Sequence, residues 1–247
     1  MKVSVITPVL NAEQTISGCI NSVSAQAIGN IEHIVIDGGS TDRTLNVLKC
    51  CDKSIIWSSA PDDGLYDAMN KGISRASGDV IGILNSDDMY ADNLVIETVI
   101  AYMTDYDLPT CYGDVVYVDR NNPDKIVRRW ISGRYCRDRF KNGWMPPHPA
   151  FFVKKNLYET YGGFKLNFLL AADYELMVRF LYKHEIASAY IPKILVRMRE
   201  GGRCHPGLKT VAANIVENYR AWKINGLSPN PITFVLKPMS KLFQYIQ

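Results

Sequence analysis

Four short apolar runs in the first part of the chain are each followed by a segment of helical spacing, and this alternation restricts the fold more than any other feature. The runs are "KVSVITPV", "IEHIVIDGG", "SIIWSS" and "VIGILN"; the segments that follow them are "AEQTISGCINSVSAQ", "TDRTLNVLKCC", "LYDAMNKGISRA" and "DNLVIETVIAYM". β-Branched runs that alternate with helices need crossover connections, which build a parallel sheet with helices packed on it. Asn11 is placed to cap the first helix, whose apolar stripe is Ile16, Cys19, Ile20 and Val23. Ser40, Thr41 or Asp42 is placed to cap the second, ahead of Leu45 and Leu48.

After about residue 110 the texture changes. "TCYGDVVYVD" and "KIVRRW" read as neighbouring strands, followed by an irregular, Pro-rich and basic stretch through "GWMPPHPAFF". "AADYELMVRFLYK" carries Tyr174, Met177, Val178 and Leu181 on one helical face. "SAYIPKILVRMR" then reads as a strand, "EGGRCHPG" as a loop, and a last helix is predicted from about Leu208 to Asn225. The chain has 247 residues and is 47% hydrophobic, enough for one large α/β domain.

A formal net charge of +3 is too small and too dispersed to indicate a nucleic-acid partner. The segment "RRWISGRYCRDRFK" concentrates Arg128, Arg129, Arg134, Arg137, Arg139 and Lys141, which suits either a solvated loop or a face for an anionic ligand or membrane. Six cysteines without a Cys-x-x-Cys pair indicate neither a zinc site nor a disulfide framework, and point to a reducing compartment. "MKVSVITPVL" lacks a long apolar leader segment, and no stretch is long enough to span a membrane. A cytoplasmic location is expected, with surface attachment to a membrane left open. The tail "ITFVLKPMSKLFQYIQ" mixes Phe234, Val235, Leu236, Leu242, Phe243 and Ile246 with Lys237 and Lys241; such a segment suits a membrane interface or packing on the protein itself.

Ligands of an open parallel sheet bind outside the carboxyl ends of its strands. Three acidic groups fall there: Asp37 after "IEHIVI", Asp62 with Asp63 after "SIIWSS", and Asp87 with Asp88 after "VIGILN". Asp37 also suits an Asx-turn, and Asp62-Asp63-Gly64 a capping turn. Adjacent carboxylates after a buried strand repel unless a cation or a hydrogen-bonding ligand compensates them. "NSDD" therefore points to Mg²⁺ or Mn²⁺ shared with substrate phosphates, the other reading being a solvated capping pair. The glycine-rich fingerprints of dinucleotide and phosphate-loop sites are absent, so the phosphates need another counter-charge.

Taken together, "VSVITPVLNAEQTISGCINSVSAQ", "EHIVIDGGSTDRT", "SAPDDGLYDAMNKGI", "ASGDVIGILNSDD" and "AADYEL" resemble the family 2 glycosyltransferases of GT-A fold, in particular the bacterial polysaccharide and O-antigen subgroup. The likeness runs from Val3 to about Gly202. It implies a single Rossmann-like, mostly parallel sheet flanked by helices, with residues 1–110 as the nucleotide-sugar half, 111–226 as the acceptor and catalytic-base half and 227–247 as an amphipathic tail. It further implies transfer of a sugar, with inversion, from a nucleotide diphosphate sugar, UDP-linked in the first instance, to an acceptor hydroxyl. Asp37 would hold the base, with Thr7, Pro8 and Leu10 lining its pocket, Asp87 would contact the nucleotide, and Asp88 would ligate Mn²⁺ or Mg²⁺. Inversion in one displacement requires a general base opposite the leaving group. Asp173 matches the family's base, with Glu175 as its rival and helix capping as its other role. His148, Arg203 and His205 fall where the subgroup meets its acceptor or the diphosphate.

The chain departs from this pattern at Leu10, where many relatives have Tyr, at Met69, where they have Arg, and at Ala60 in the "SAPD" segment. Lys71 can replace the lost cation, and Asp62 can reach the nucleotide, while Tyr66 and Met69 are expected to pack. The basic run and the cationic tail fit a polyprenyl-diphosphate-linked saccharide acceptor at the inner face of the cell membrane. Two other functions remain: a nucleotidyltransferase, which would need a Gly-rich cationic loop where "TPVLNAEQT" stands, and a binding scaffold, which has no need of a base such as Asp173.

Overall fold

The computed structural model describes residues 1–51, 54–201, 208–229 and 233–234. The first half follows the predicted alternation through β1 (Val3–Val9), α1 (Ile16–Ser24), β2 (Ile31–Asp37), α2 (Thr44–Cys50), β3 (Ile56–Ser59), α3 (Leu65–Arg75) and β4 (Val80–Ile83). These four strands pair in the order β3-β2-β1-β4, all parallel, so their carboxyl ends meet at one edge. The period of two along β1 divides it between two cores. Val3, Val5 and Val9 join Ile16, Ile20 and Val23 of α1 on one face, while Ile6 joins Tyr66, Met69 and Ile73 of α3 on the other. At Gly72 a β-carbon would strike the Ile6 side chain, so α3 lies closer to β1 than any larger residue allows.

The second half comprises β5 (Met89–Tyr90), α4 (Val95–Asp105), β6 (Thr110–Val118), β7 (Ile126–Trp130), β8 (Phe151–Lys154), α5 (Lys155–Tyr161), α6 (Ala172–Met177), β9 (Ser188–Arg199) and α7 (Leu208–Ile224). It extends the sheet as β4-β8-β6-β9-β5, with β7 on β6. β8 enters antiparallel between β4 and β6, which restores the original direction for β6 and β9. Six of the nine described strands thus point the same way, a mixed α/β architecture with a mostly parallel sheet. α6 continues into a wider π-helical turn, Val178–Lys183.

The capping expectations change in detail. Neither α1 nor α2 has a side-chain cap at its N-terminal boundary residue, Thr15 and Arg43 respectively. Asn11 instead adopts a left-handed backbone with φ 52° and turns its side chain across to the next crossover, where Oδ1 accepts from the amides of Thr41 (2.8 Å) and Asp42 (3.3 Å). Asp42 accepts the Thr44 amide at 2.9 Å, so it serves the first turn of α2 from two residues away.

Candidate active site

The β2 end is a closed electrostatic unit. Asp37 is fully buried, and its Oδ2 accepts from the Gly39 and Ser40 amides at 3.0 Å each and from Ser59 Oγ at 2.7 Å. Its Oδ1 accepts from Ser40 Oγ. Donors of this number fully engage a carboxylate. Asp62 folds back until it lies against Gly38, where a β-carbon would collide with it, and Oδ1 accepts the Gly64 amide at 2.9 Å. Lys71 forms an ion pair with Asp67 at 2.8 Å and contacts the Pro61 carbonyl at 3.4 Å. Asp67 is the first cause that holds the Lys71 ammonium above its ordinary pKa. The Thr7 hydroxyl faces inward, 2.9 Å from His33 Nε2, so Thr7 meets the strand edge through its backbone, whereas Leu10 stands exposed there.

The β4 end is the opposite case. Asp88 is buried and, among the described residues, accepts only from Asn85 Nδ2 at 2.9 Å and the Arg199 amide at 3.3 Å. Burial, and next the charge of Asp87, push its carboxyl well above the usual range. Burial also raises Asp87, opposed by a hydrogen bond from its own backbone amide and then by the charges of Arg120 and Arg199. Asn85 Oδ1 and Arg199 Nε are buried without hydrogen-bond partners among the described residues. Topology explains the two arginines: β6 and β9 run with β4, so the residues at and after their carboxyl ends arrive at the same edge.

β8 is reversed, which brings its amino-terminal approach, with His148, to that edge as well. His148 Nε2 lies 3.4 Å from Asn85 Nδ2, and Nδ1 lies 3.4 Å from Asp173 Oδ2. Since Asn85 Nδ2 can only donate, this arrangement puts the imidazole proton on Nδ1, facing Asp173. Burial lowers the His148 pKa although Asp173 and Asp87 oppose it. Tyr66 Oη, at the start of α3, donates to Asp173 Oδ1 at 3.3 Å. One connected chain therefore runs Tyr66, Asp173, His148, Asn85, Asp88. Glu175 is fully buried in an ion pair with Arg179 at 2.8 Å and accepts from Asn225 at 3.0 Å, which removes it as a rival base.

The family description "Glycosyl transferase family 2" matches residues 4–165. The chain belongs to glycosyl transferase family 2. A glycosyltransferase named for PGL/p-HBAD biosynthesis in Mycobacterium bovis is 28% identical over 204 residues, covering 81% of this chain and 77% of its own. An uncharacterized glycosyltransferase of Mycobacterium tuberculosis is 36% identical over 186 residues, covering 72% of this chain and 68% of its own. Among solved structures, Staphylococcus aureus TarS 1–349 in complex with UDP-GlcNAc superposes with a TM-score of 0.68 at 17% identity, over 91% of this chain and 65% of that one. The mannosyltransferase PcManGT of Pyrobaculum calidifontis, in complex with GDP-Man and Mn²⁺, gives 0.65 at 16% identity, over 97% and 69%. These two likenesses bear on the fold, which is of the GT-A type.

Several residues of this family 2 glycosyltransferase escaped the sequence reading. Asn85 carried a signal, since it opens "NSDD", but Arg120, Arg199 and the Tyr66 contact to Asp173 depend on chain crossings that no local pattern records. The basic run contributes less free charge than its composition suggests. Arg128 stacks on Tyr117 at 3.5 Å, Arg137 pairs with Glu185 at 3.2 Å, Arg139 donates to the Ser132 and Arg134 carbonyls, and Lys141 pairs with Asp138 at 2.8 Å. Arg203, His205 and nearly all of the tail lie outside the described residues. No helix among the described residues is long and apolar enough to cross a membrane.

No cluster of three or more His, Cys, Asp or Glu residues suited to a metal occurs among the described residues. Asp87, Asp88 and the partnerless Asn85 Oδ1 nevertheless fit a divalent cation that takes its remaining ligands from phosphate and water, the usual habit of Mg²⁺.

Proposed function

We propose that the chain transfers the sugar of a nucleotide diphosphate sugar, a UDP-sugar, to a hydroxyl of a saccharide carried on a polyprenyl diphosphate, with inversion at the anomeric carbon. The observation that carries this reading is the Asp173 carboxylate, held between Tyr66 and His148 and connected through Asn85 to the acidic pair after β4. In that reading the acceptor oxygen attacks the anomeric carbon, its proton passes to Asp173, and the bond to the diphosphate breaks on the opposite face. Neutral His148 and Tyr66 hold the Asp173 oxygens through long contacts and leave lone pairs for the proton.

Asp37, Asp62, Lys71, the Thr7-Pro8 backbone and exposed Leu10 border the nucleoside end, with Asp87 nearer the ribose. A base N–H reaches Asp37 only if the Ser40 or Ser59 hydroxyl turns away. A divalent cation, Mn²⁺ or Mg²⁺, held through Asp88 would supply positive charge against the departing nucleoside diphosphate. Arg120 and Arg199 add fixed charge to the same edge. His148, with Arg203 and His205 beyond the described residues, faces the acceptor or diphosphate.

Support for the donor class comes from family membership and from the nucleotide sugars held by TarS and PcManGT; the Mn²⁺ of PcManGT supports the cation. The lipid-linked acceptor, the peripheral location at the inner membrane face and a place in surface polysaccharide or O-antigen assembly rest on the cationic tail and on the sequence resemblance. The test is incubation with a panel of UDP- and GDP-sugars, Mn²⁺ and synthetic lipid diphosphates bearing one sugar. Donor consumption that needs both acceptor and metal is expected. Binding of a nucleotide sugar without consumption in any combination would instead establish a scaffold.

A further inference from the structure

The helix that carries Asp173 begins without a cap of its own. α6 starts after Ala171, which supplies no side-chain cap, and the amides of the turn ahead of it need a partner outside the helix. That partner is Glu217 of α7: Oε1 accepts from the Leu169 amide at 2.8 Å, and Oε2 from the Leu170 and Ala171 amides at 2.8 and 2.9 Å. Three consecutive N–H groups converging on one carboxylate form a strong, charge-assisted set.

Packing anchors this turn at its two ends, Phe168 and Ala171, which are buried in the core, but not between them. The Leu169 side chain is 82% exposed and Leu166 is 49% exposed, so their burial adds little. Further contacts tie the same two segments: Trp222 Nε1 donates to Tyr174 Oη at 2.9 Å, Asn225 Nδ2 to Glu175 Oε1 at 3.0 Å, and Arg220 Nη1 to the Asn167 carbonyl at 3.2 Å. These three follow Glu217 along and just beyond α7, yet among the described residues only Glu217 accepts from the 169–171 amides. Both α6 and α7 lie beyond residue 165, where the family match ends.

We infer that Glu217 is a positioning residue for sugar transfer: by clamping the 169–171 amides it sets where Asp173 meets Tyr66 and His148. This rests on the reading of Asp173 as the base. Displacement of a reacting group by about 1 Å can cost on the order of 100-fold in rate without touching substrate affinity.

The test compares wild type, Glu217→Ala, Glu217→Gln and Asp173→Asn, using the UDP-sugar and lipid-diphosphate pair selected by the panel. For Glu217→Ala, kcat should fall about 10- to 100-fold, while the KM for the UDP-sugar stays within about twofold because the donor edge is untouched. Glu217→Gln, which keeps one acceptor oxygen, should fall between. Added to Asp173→Asn, Glu217→Ala should cause no further loss, as expected of groups that act as one unit. Full kcat in Glu217→Gln and Glu217→Ala, with Asp173→Asn inactive, overturns this inference and leaves the base assignment standing. Undiminished turnover in Asp173→Asn overturns both. Should Glu217→Ala not fold, Glu217→Gln carries the comparison, and solvent-rate hydrogen exchange at the 169–171 amides of wild type overturns the clamp without any variant.

Discussion

Two strand ends of the same parallel sheet, after β2 and after β4, both present acids, and they are built in opposite ways. Asp37 is enclosed by donors from its own loop and from Ser59, so the protein itself satisfies it. Asp88, buried just as deeply, is short of donors and lies beside a second carboxylate, and its pKa rises accordingly. The number of protein donors around a strand-end acid, more than its position, separates an acid that organises a loop from one whose charge the described residues leave poorly compensated.

The largest effect that would sharpen this contrast lies at neither acid but at Asp173, the carboxylate proposed as base and linked to the β4 end. Asp173→Asn keeps size and removes proton acceptance, so kcat should fall about 10²- to 10⁴-fold, with donor affinity by calorimetry nearly unchanged; wild-type turnover would detach the base from this edge. Next comes Asp37→Ala. It strands two amides and two hydroxyls, and chemical denaturation should show a loss of about 3 kcal/mol or more; a neutral result would mean that the closed unit contributes nothing to folding.

A third effect sits on β2 itself. His33 is buried, its Nδ1 has no partner among the described residues, and burial depresses its pKa from 6.5 to about 4. The unfolded chain takes up a proton near the ordinary value while the folded chain does not, so stability falls as pH drops below it. The loss should reach about 2 kcal/mol by pH 5 and should vanish in His33→Leu; equal pH slopes for both chains would show that His33 titrates normally. The smallest effect has the opposite sign. Asp88→Asn removes a poorly satisfied buried charge, and without added metal it should raise stability by about 1 kcal/mol while losing Mn²⁺-dependent donor binding. A fall in stability would show that Asp88 is as well satisfied as Asp37.

Long periodic segments were readable from the residues alone. β6, β7 and β9 lie where "TCYGDVVYVD", "KIVRRW" and "SAYIPKILVRMR" placed them, and Ile16, Cys19, Ile20 and Val23 form the buried stripe of α1. β5 and β8 were missed, because β5 has only two residues and β8 directly follows a Pro-rich segment that reads as irregular. Within the site, Asp37, Asp87 and Asp88 were visible as acids after strands, since that signal is local. Nothing local distinguishes a carboxylate with four donors from one with two. Tyr66, expected only to pack, both packs on Phe164 and reaches Asp173, a contact spanning 107 positions of sequence. Glu217 is equally silent, because its partners are backbone amides and any residue could supply them.

The insertion of β8 between β4 and β6 also imposes an order in time. A ribosome delivers β1 to β4 first, but the free edge of β4 stays uncovered until residues 151–154 emerge, and β6 has no place in the sheet before then. A nascent chain of the first 110 residues therefore exposes the free edge of a buried-type strand, Val80–Ile83, the kind of edge that recruits other chains. Whatever protects this protein during synthesis has to act before the strand that closes it has been translated.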